Sequence, residues 1–492
     1  MATLQKRSYL NVINIKPILE IIGILLSILA GMMLLPIAVD VAMGNSDWHV
    51  FSTAAFISAF VGIMLILSNH GHIHILTHRQ TFLLIVLAWL IIPAFAALPF
   101  IFAYPHIGYS NAFFESMSGL SSCGATILQN LDTAPAGILL WRSLLNWVGG
   151  IAIIVIAIAI LPVLRIGGMQ LFKNDSLDKS DKITLRTIQL LRSMLAIYCF
   201  YTLFSALLLW FAGMSGFDAI CHAMAAISAG GSGNYSNSIA HFNSPVIEII
   251  LIITMIISCL PFTLYIQAAQ GRYTALWKNS QLRAFLCLLC LAILSVACWL
   301  TYNQQMTFFQ SIRFASFNVT SAMTTSGLSL GSTASWGTYP IFLLFLITLI
   351  GGCSKSAAGG IKIFRIQILY QTVKAHIKQI LHPHAIFRPS FNNKSVSDAI
   401  ISSVLVFFFV YISILMIFIL LLTVNGVDFM IASNLVASSM ASSGYGFNSL
   451  NTVSTIFALP NFTKWVLSIA MMMGRLEFLT ILVLFSPSFW RD

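Results

Sequence analysis

Ten apolar runs constrain the fold of this chain more than any other feature of its sequence. A helix of about 20 apolar residues crosses the hydrocarbon core of a membrane. Only 8% of the 492 residues are charged, whereas a soluble domain carries about 25%. The runs cover approximately residues 17–43, 47–68, 81–104, 137–163, 186–213, 245–269, 283–303, 339–380, 396–424 and 460–485. We therefore predict an all-α polytopic membrane protein.

Two of these runs need a separate interpretation. The first, 17–43, is far longer than the apolar region of a signal peptide, so we expect it to be retained. The eighth, 339–380, is too long for one crossing and contains the pairs Gly351-Gly352 and Gly359-Gly360. We predict that it is a broken helix.

The net charge of +11 is distributed as in a membrane protein rather than a nucleic-acid-binding one. Lys and Arg cluster in alternate loops, whereas the loops around 41–50, 105–136, 231–244 and 328–340 contain none. An excess of Lys and Arg marks the cytoplasmic side of a membrane. With ten runs, this pattern predicts that both termini are cytoplasmic.

A short motif recurs four times between the apolar runs, about one hundred residues apart. After the third, fifth, seventh and ninth runs, a half-apolar stretch ends in a three-residue motif. The motif consists of a serine or threonine, then any residue, then glycine. The triplets are Ser122-Cys123-Gly124, Ser228-Ala229-Gly230, Thr325-Ser326-Gly327 and Ser442-Ser443-Gly444. Each stretch is too short to cross a membrane, and each starts from a loop without Lys or Arg. We predict four short helices that enter from the outside and stop halfway, capped by Ser110, Asp218, Ser311 and Asp428.

These residue types suit a cation filter. Backbone carbonyl oxygens replace the hydration shell of K⁺ in a selective channel, and glycine permits the backbone angles that orient successive carbonyls. The triplets contain no Asp or Glu, so the pattern favours K⁺ over the cations that a carboxylate ring would select. Small residues also serve simple helix packing, but four triplets in matching positions favour a filter. Glu115, Asp132, Asp218 and Asp428 either concentrate cations at the entrance or have ordinary solvated and capping roles.

Five sets of residues resemble the Trk/Ktr/HKT potassium transporter superfamily, and most closely its bacterial Trk branch. They are Phe114-Glu115-Ser116-Met117-Ser118-Gly119; Asn146-Trp147-Val148-Gly149-Gly150; Ile160-Leu161-Pro162 with Gly167-Gly168-Met169-Gln170-Leu171; Gly351-Gly352-Cys353 with Gly359-Gly360-Ile361-Lys362; and Gly474-Arg475-Leu476-Glu477 with Phe485-Ser486-Pro487-Ser488-Phe489-Trp490-Arg491. The resemblance implies two N-terminal transmembrane helices followed by four parallel M1–pore loop–M2 repeats around a pseudo-four-fold pore, with the M2 helix of the third repeat broken. The corresponding ranges are 1–70, 71–164, 165–270, 271–394 and 395–492.

The same resemblance implies a function and its residues. We expect a homodimer in the lipid of the bacterial inner membrane that takes up K⁺ and pairs with a cytosolic TrkA-like nucleotide-binding ring. The filter glycines carry over to Gly124, Gly230, Gly327 and Gly444. An intramembrane gating loop carries over to Gly351, Gly352, Lys355, Gly359 and Gly360, and Arg475 carries over to a place near the pore below the filter. Lys355 departs from the small residues usual in that loop, and Cys123 stands where threonine is usual.

Several alternatives remain beside this interpretation. A Na⁺-dependent or Na⁺-permeable Ktr-type transporter would carry similar triplets. An alternating-access carrier is disfavoured because it would show inverted repeats and paired broken helices, whereas only one broken helix is predicted here. An enzyme is disfavoured because Glu248 and Glu477 have no evident catalytic partner. His70, His72, His74 and His78 alternate in one loop, but we favour solvated histidines over a metal site.

Overall fold

The computed structural model describes residues 13–71, 76–157, 168, 180–385, 387–392, 394–444 and 453–491. His72 and His74, the end of the fourth apolar run, and the motif at Ile160-Leu161-Pro162 lie outside these residues. In chain order the helices are α1 Lys16–Met32, α2 Leu34–Met43, α3 Trp48–Asn69, α4 His78–Ala96, α5 Leu98–Ala103, α6 Tyr109–Leu120, α7 Ala136–Val155, α8 Ser180–Phe211, α9 Gly216–Ile227, α10 Pro245–Cys259, α11 Phe262–Ala269, α12 Thr274–Lys278, α13 Ser280–Asn303, α14 Phe308–Met323, α15 Thr338–Ile350, α16 Ile363–Leu381, α17 Asp398–Val424, α18 Phe429–Ala441, α19 Val453–Ala458, α20 Asn461–Leu476, α21 Phe478–Leu482 and α22 Pro487–Arg491. Two antiparallel strands of two residues each, β1 Ser390–Phe391 and β2 Lys394–Ser395, form a short hairpin.

Seven helices or joined helix pairs in the described residues are long and apolar enough to cross a membrane, and two further helix pairs are sharply bent spans. The seven are Lys16–Met43, Trp48–Asn69, His78–Ala103, Ala136–Val155, Gln189–Phe211, Ser280–Asn303 and Asp398–Val424. Each coincides with one of the predicted apolar runs. The chain is therefore predominantly helical, and its predicted membrane-spanning character is confirmed.

The prediction of a single broken helix is wrong. The eighth run is indeed two helices, α15 and α16, separated by residues 351–362. The sixth run, however, bends by 95° between α10 and α11, and the tenth bends by 108° after α20. Pro261 explains the first bend, because the residue before a proline is driven out of the helical conformation and Leu260 is extended with ψ of 152°. Glu477 forms the second bend with φ of +58°.

Four short helices, α6, α9, α14 and α18, bury most of their residues inside the protein. Asp428 caps α18, as predicted, by accepting from the backbone of Met430 at 2.9 Å. The other three predicted caps are wrong. Ser215, rather than Asp218, caps α9, and Gly108 and Thr307, rather than Ser110 and Ser311, precede α6 and α14.

Candidate functional site: a ring of four backbone segments and the loop packed against it

The chain makes the same backbone turn immediately after each of the four short helices. One residue in each turn has a left-handed φ between +50° and +58°. The N–H of the following residue donates to a carbonyl five residues earlier, near the helix end, at 2.9–3.0 Å. The left-handed residues are Ser122, Ala229, Thr325 and Ser442. These shared features define four equivalent segments: 122–124, 229–231, 325–327 and 442–444.

The second segment is offset by one residue from the predicted triplet. The sequence predicted Ser228-Ala229-Gly230, but the segment equivalent to the other three is Ala229-Gly230-Gly231. Ala229 has φ of +52° and Gly231 has φ of +64°, which matches Ser122 and Gly124 of the first segment. Because residues 228–230 also fit the pattern of a hydroxyl residue, any residue and glycine, the pattern alone selected a stretch one residue too early. The predicted triplets of the other three segments coincide with the observed ones.

The four segments close into a ring through their last glycines. At each of these glycines an added Cβ would come closer than 3.0 Å to a carbonyl oxygen of the next segment. The contacts run from Gly124 to Gly230, from Gly231 to Ser326, from Gly327 to Ser443, and from Gly444 back to Cys123. All four glycines have positive φ, between +63° and +78°. Glycine is therefore required at each point by both conformation and space.

The ring offers oxygen and little else to a bound ion. It contains no carboxylate, and the hydroxyl-bearing side chains of Ser122, Thr325, Ser326, Ser442 and Ser443 are buried. Within the described residues, no group of three or more His, Cys, Asp or Glu side chains could hold a metal ion. Backbone carbonyls and hydroxyls are neutral oxygen ligands of the kind that suit an alkali cation. The segments can therefore bind a cation through neutral oxygens.

Buried polar side chains hold the loops that follow the first and third segments. Glu115 on α6 accepts hydrogen bonds from the backbone of Ile127 at 2.9 Å and from Arg142 on α7 at 2.8 Å. Asn318 occupies the equivalent position on α14, seven residues before its segment. It bonds both the N–H and the carbonyl of Leu330, at 3.2 and 3.1 Å. A carboxylate and an amide thus serve the same structural purpose in two segments.

The four acids expected at the outer face have structural roles. Glu115 is buried and forms an ion pair with Arg142 at 2.8 Å. Asp218 is buried and accepts from Asn234 and Tyr235 at 2.8 and 3.0 Å. The exposed Asp132 accepts from the hydroxyl and the N–H of Ser236, which lowers the pKa of its carboxyl. Of the predicted alternatives, capping applies to Asp428, and the other three acids accept hydrogen bonds within the protein.

Residues 351–362, here named the crossing loop, are bonded to the bend in the sixth span. The carbonyl of Lys355 accepts from Phe262 at 3.0 Å. The N–H groups of Cys353 and Ala357 donate to the carbonyls of Cys259 and Ser258 at 3.3 and 3.2 Å. Irregular backbone at membrane depth persists only where protein or a watery cavity satisfies it. Here two irregular stretches satisfy each other.

The crossing loop also reaches the ring and the tenth span. The N–H of Gly359 donates to the Thr325 hydroxyl of the third segment at 2.8 Å. Arg475 on α20 donates from Nη1 to the carbonyl of Ala357 at 2.8 Å, and its Nε and Nη2 have no partner among the described residues. The loop therefore contacts the ring and is bonded to both the sixth and the tenth spans.

Comparisons with known proteins identify the family. A family described as TrkH, cation transport protein, matches residues 48–491. The chain belongs to the TrkH family of cation transport proteins. It is 35% identical to the Trk system potassium uptake protein TrkI of Halomonas elongata over 97% of each chain. It is also 35% identical to the Trk system potassium uptake protein TrkH of Escherichia coli, over 97% of this chain and 100% of that one.

The fold is similar to that of a solved TrkH-family structure. The crystal structure of the potassium transporter TrkH from Vibrio parahaemolyticus matches with a TM-score of 0.89 and 33% identity, over 97% of this chain and 100% of that one. The resemblance inferred from the motifs is confirmed. The relatives are named as uptake proteins and transporters, which agrees with the expectation that this TrkH-family chain is not an enzyme.

Sequence reasoning missed a buried ion pair in this TrkH-family chain. Arg365 on α16 donates to both carboxylate oxygens of Glu477 at 2.8 Å, and its guanidinium lies 3.6 Å from the ring centre of Phe407. Arg475, by contrast, is directed toward a carbonyl of the crossing loop rather than toward Glu477. The signal available in the sequence was the presence of a basic residue, Arg365, and an acidic residue, Glu477, within two predominantly apolar runs.

Proposed function

We propose that this chain is the K⁺-translocating subunit of a Trk-type uptake system in the bacterial inner membrane. The closed ring of four equivalent segments carries the proposal, because it offers neutral backbone oxygens without a carboxylate. That chemistry suits a K⁺ ion that has lost its hydration shell. The names of the relatives support the same ion.

We further propose that the ring residues are the selectivity filter. They are Ser122, Cys123 and Gly124; Ala229, Gly230 and Gly231; Thr325, Ser326 and Gly327; and Ser442, Ser443 and Gly444. The equivalence of their backbone conformations supports four parallel repeats around a pseudo-four-fold axis, in the ranges 71–164, 165–270, 271–394 and 395–492. Two transmembrane helices in 1–70 precede them, and both termini are cytoplasmic in this arrangement. A homodimer and a TrkA-like regulatory ring complete the proposed assembly.

The crossing loop is the proposed gate. Its bond from Gly359 to Thr325 and its bond from Arg475 to Ala357 support a position across the ion pathway. The glycines at 351, 352, 359 and 360 supply the conformational freedom that a moving loop needs, since Gly351 and Gly360 have φ of +68° and +79°. Arg475 then contributes both a bond that holds the loop and a positive charge beside the pathway. Displacing the loop opens the pathway.

Uptake by a bacterial strain that lacks its own K⁺ uptake systems tests the function. Cells that make the chain should grow at low K⁺ and accumulate Rb⁺, whereas cells that carry the empty vector should not. The proposal fails if cells that make wild-type chain at normal abundance in the membrane accumulate no more K⁺ or Rb⁺ than empty cells. Uptake that requires Na⁺, or entry of Na⁺ itself at a similar rate, would favour the Ktr-type alternative.

A further inference from the structure

One side chain from a transmembrane helix contacts the ring directly. Asn146 on α7 is fully buried, and its Nδ2 donates to the carbonyl oxygen of Gly230 at 3.2 Å. The same nitrogen donates to the hydroxyl of Ser232, immediately after the second segment. A carbonyl oxygen can only accept, so the Asn146 atom that faces it must be the donating nitrogen. The orientation of the amide is therefore fixed by chemistry.

The backbone of Asn146 contacts a different segment of the ring. Its carbonyl oxygen accepts from the hydroxyl of Ser122 in the first segment at 3.2 Å. One residue thus bonds the first segment through its backbone and the second through its side chain. Because Gly124 packs directly against the carbonyl of Gly230, Asn146 lies behind the junction of these two segments.

The side chain of Asn146 also explains why the second segment differs in sequence from the others. The middle residue of the ring segments is Cys123, Ser326 or Ser443 in three cases and Gly230 in the second. A Cβ added at Gly230 would lie 2.7 Å from Cγ and 2.9 Å from Cβ of Asn146. The amide of Asn146 occupies the space in which the other segments place a side chain.

The tenth span shows what a helix at an equivalent position does without an amide. Gly149 on α7 and Gly474 on α20 each pack against the last turn of a short helix, at the carbonyls of Leu120 and Met440. Three residues before Gly474 stands Met471, which is buried and has no N–H or O–H to donate from its side chain. The direct bond from a helix side chain to a ring carbonyl is thus a property of Asn146 and not of its counterpart.

We propose that Asn146 is a positioning residue that determines cation selectivity by holding the Gly230 carbonyl in the ring. The inference rests on the proposed function and assigns to this residue a role in ion discrimination. The hydrogen bond fixes the direction of one ring carbonyl and withdraws part of its negative charge from the ion. Removing the donor leaves the carbonyl free to turn, so that the ring adapts to ions of other sizes.

Ion competition for Rb⁺ uptake tests this role, with Asn146→Leu as the main variant. Leucine has a similar volume but no donor, so the preference for K⁺ over Na⁺ should fall about fivefold, the effect of one lost hydrogen bond. The matched control is Met471→Leu at the counterpart position, which conserves volume and should leave the preference unchanged. Membrane abundance and thermal stability in detergent are measured for each variant.

A second variant keeps the test decisive if Asn146→Leu fails to reach the membrane. Asn146→Asp keeps the shape but replaces the donor by an acceptor that repels the Gly230 carbonyl, so selectivity should again fall while Rb⁺ uptake persists. Wild-type ion preference in whichever of these two variants reaches the membrane at normal abundance would overturn the proposal. Absence of uptake by the wild-type chain would instead contradict the proposed function, so the two failures are distinguishable.

Discussion

In the ring, four stretches from distant parts of the chain adopt one backbone conformation, with left-handed φ at Ser122, Ala229, Thr325 and Ser442. In the crossing loop, a single stretch makes contacts with three different elements: the bend at Pro261, the hydroxyl of Thr325 and the guanidinium of Arg475. The ring is built by repetition and the loop by asymmetry. If the proposed function is right, repetition supplies equivalent oxygens around an ion, and asymmetry allows the loop to move without changing the ring.

The buried pair of Arg365 and Glu477 provides the largest test of this difference. Arg365→Met leaves a buried carboxylate without its cation, which should lower the free energy of unfolding by about 3–5 kcal/mol. Thermal unfolding in detergent measures the loss. The double variant Arg365→Met/Glu477→Gln should recover part of it, because the buried carboxylate is removed together with its partner.

The ion preference of Arg365→Met should also be measured. Because the pair lies outside the ring, any Arg365→Met protein that reaches the membrane should retain the normal preference for K⁺ over Na⁺. Arg272→Met, at an exposed arginine, serves as the control and should change stability by less than about 0.5 kcal/mol. A loss of selectivity without loss of stability would show that the two regions are not separable.

Gly231→Ala, within the ring, should lower the preference for K⁺ over Na⁺, which Arg365→Met should leave unchanged. The new Cβ would come closer than 3.0 Å to the carbonyl oxygen of Ser326, at a residue with φ of +64°. Overpacking of this kind costs about 1–3 kcal/mol, so K⁺ preference should fall by about tenfold or more. Na⁺ inhibition of Rb⁺ uptake measures the change. Gly216→Ala is the matched control, since no atom lies within 4 Å of its added Cβ, and equal effects of both variants would contradict the assigned segment.

Arg475→Ala tests whether Arg475 holds the crossing loop in place. Loss of the bond to the Ala357 carbonyl should release the crossing loop and raise basal Rb⁺ flux about fivefold, the value of a single hydrogen bond. Arg475→Lys keeps a donor and a charge and should remain closer to wild type. Flux is measured without any added regulatory protein, together with ion preference, which should not change. Normal flux in both variants would mean that Arg475 does not hold the loop.

Thr325→Val gives the smallest expected effect because it removes one of several bonds to the loop. The methyl group cannot accept from the N–H of Gly359, so basal flux should rise about twofold, the lower end of the range for one hydrogen bond. Thr325→Ser retains the hydroxyl and is the control. A rise in flux for Thr325→Val but not for Thr325→Ser would show that this bond links the ring to the crossing loop, because Thr325 belongs to the ring and contacts the loop.

The sequence predicted the ring better than the loop, for a physical reason. A motif that recurs at similar intervals can be checked against its own copies, and three of the four predicted triplets coincide with segments that share one backbone turn. The second was misplaced by one residue because Asn146, 84 residues earlier in the chain, excludes a side chain at Gly230. Such a long-range packing constraint is not visible in the local pattern.

The breaks were predicted only where glycine marked them. Gly351-Gly352 and Gly359-Gly360 interrupt the eighth run visibly, but the apolar residues continue through the bends at Leu260 and Glu477. The pair that stabilises the last bend joins residues 112 positions apart. Neither propensity nor periodicity contains that information, since both describe only neighbouring residues.

The bond between Gly359 and Thr325 has a consequence for energetics as well as for geometry. If the position of the loop alters the affinity of the third segment for an ion, linkage requires that a bound ion alter the position of the loop by the same factor. The transported ion would then act as an effector of its own passage. External K⁺ would shift the fraction of molecules with the loop displaced, and the open probability would depend on concentration even before any regulatory protein binds.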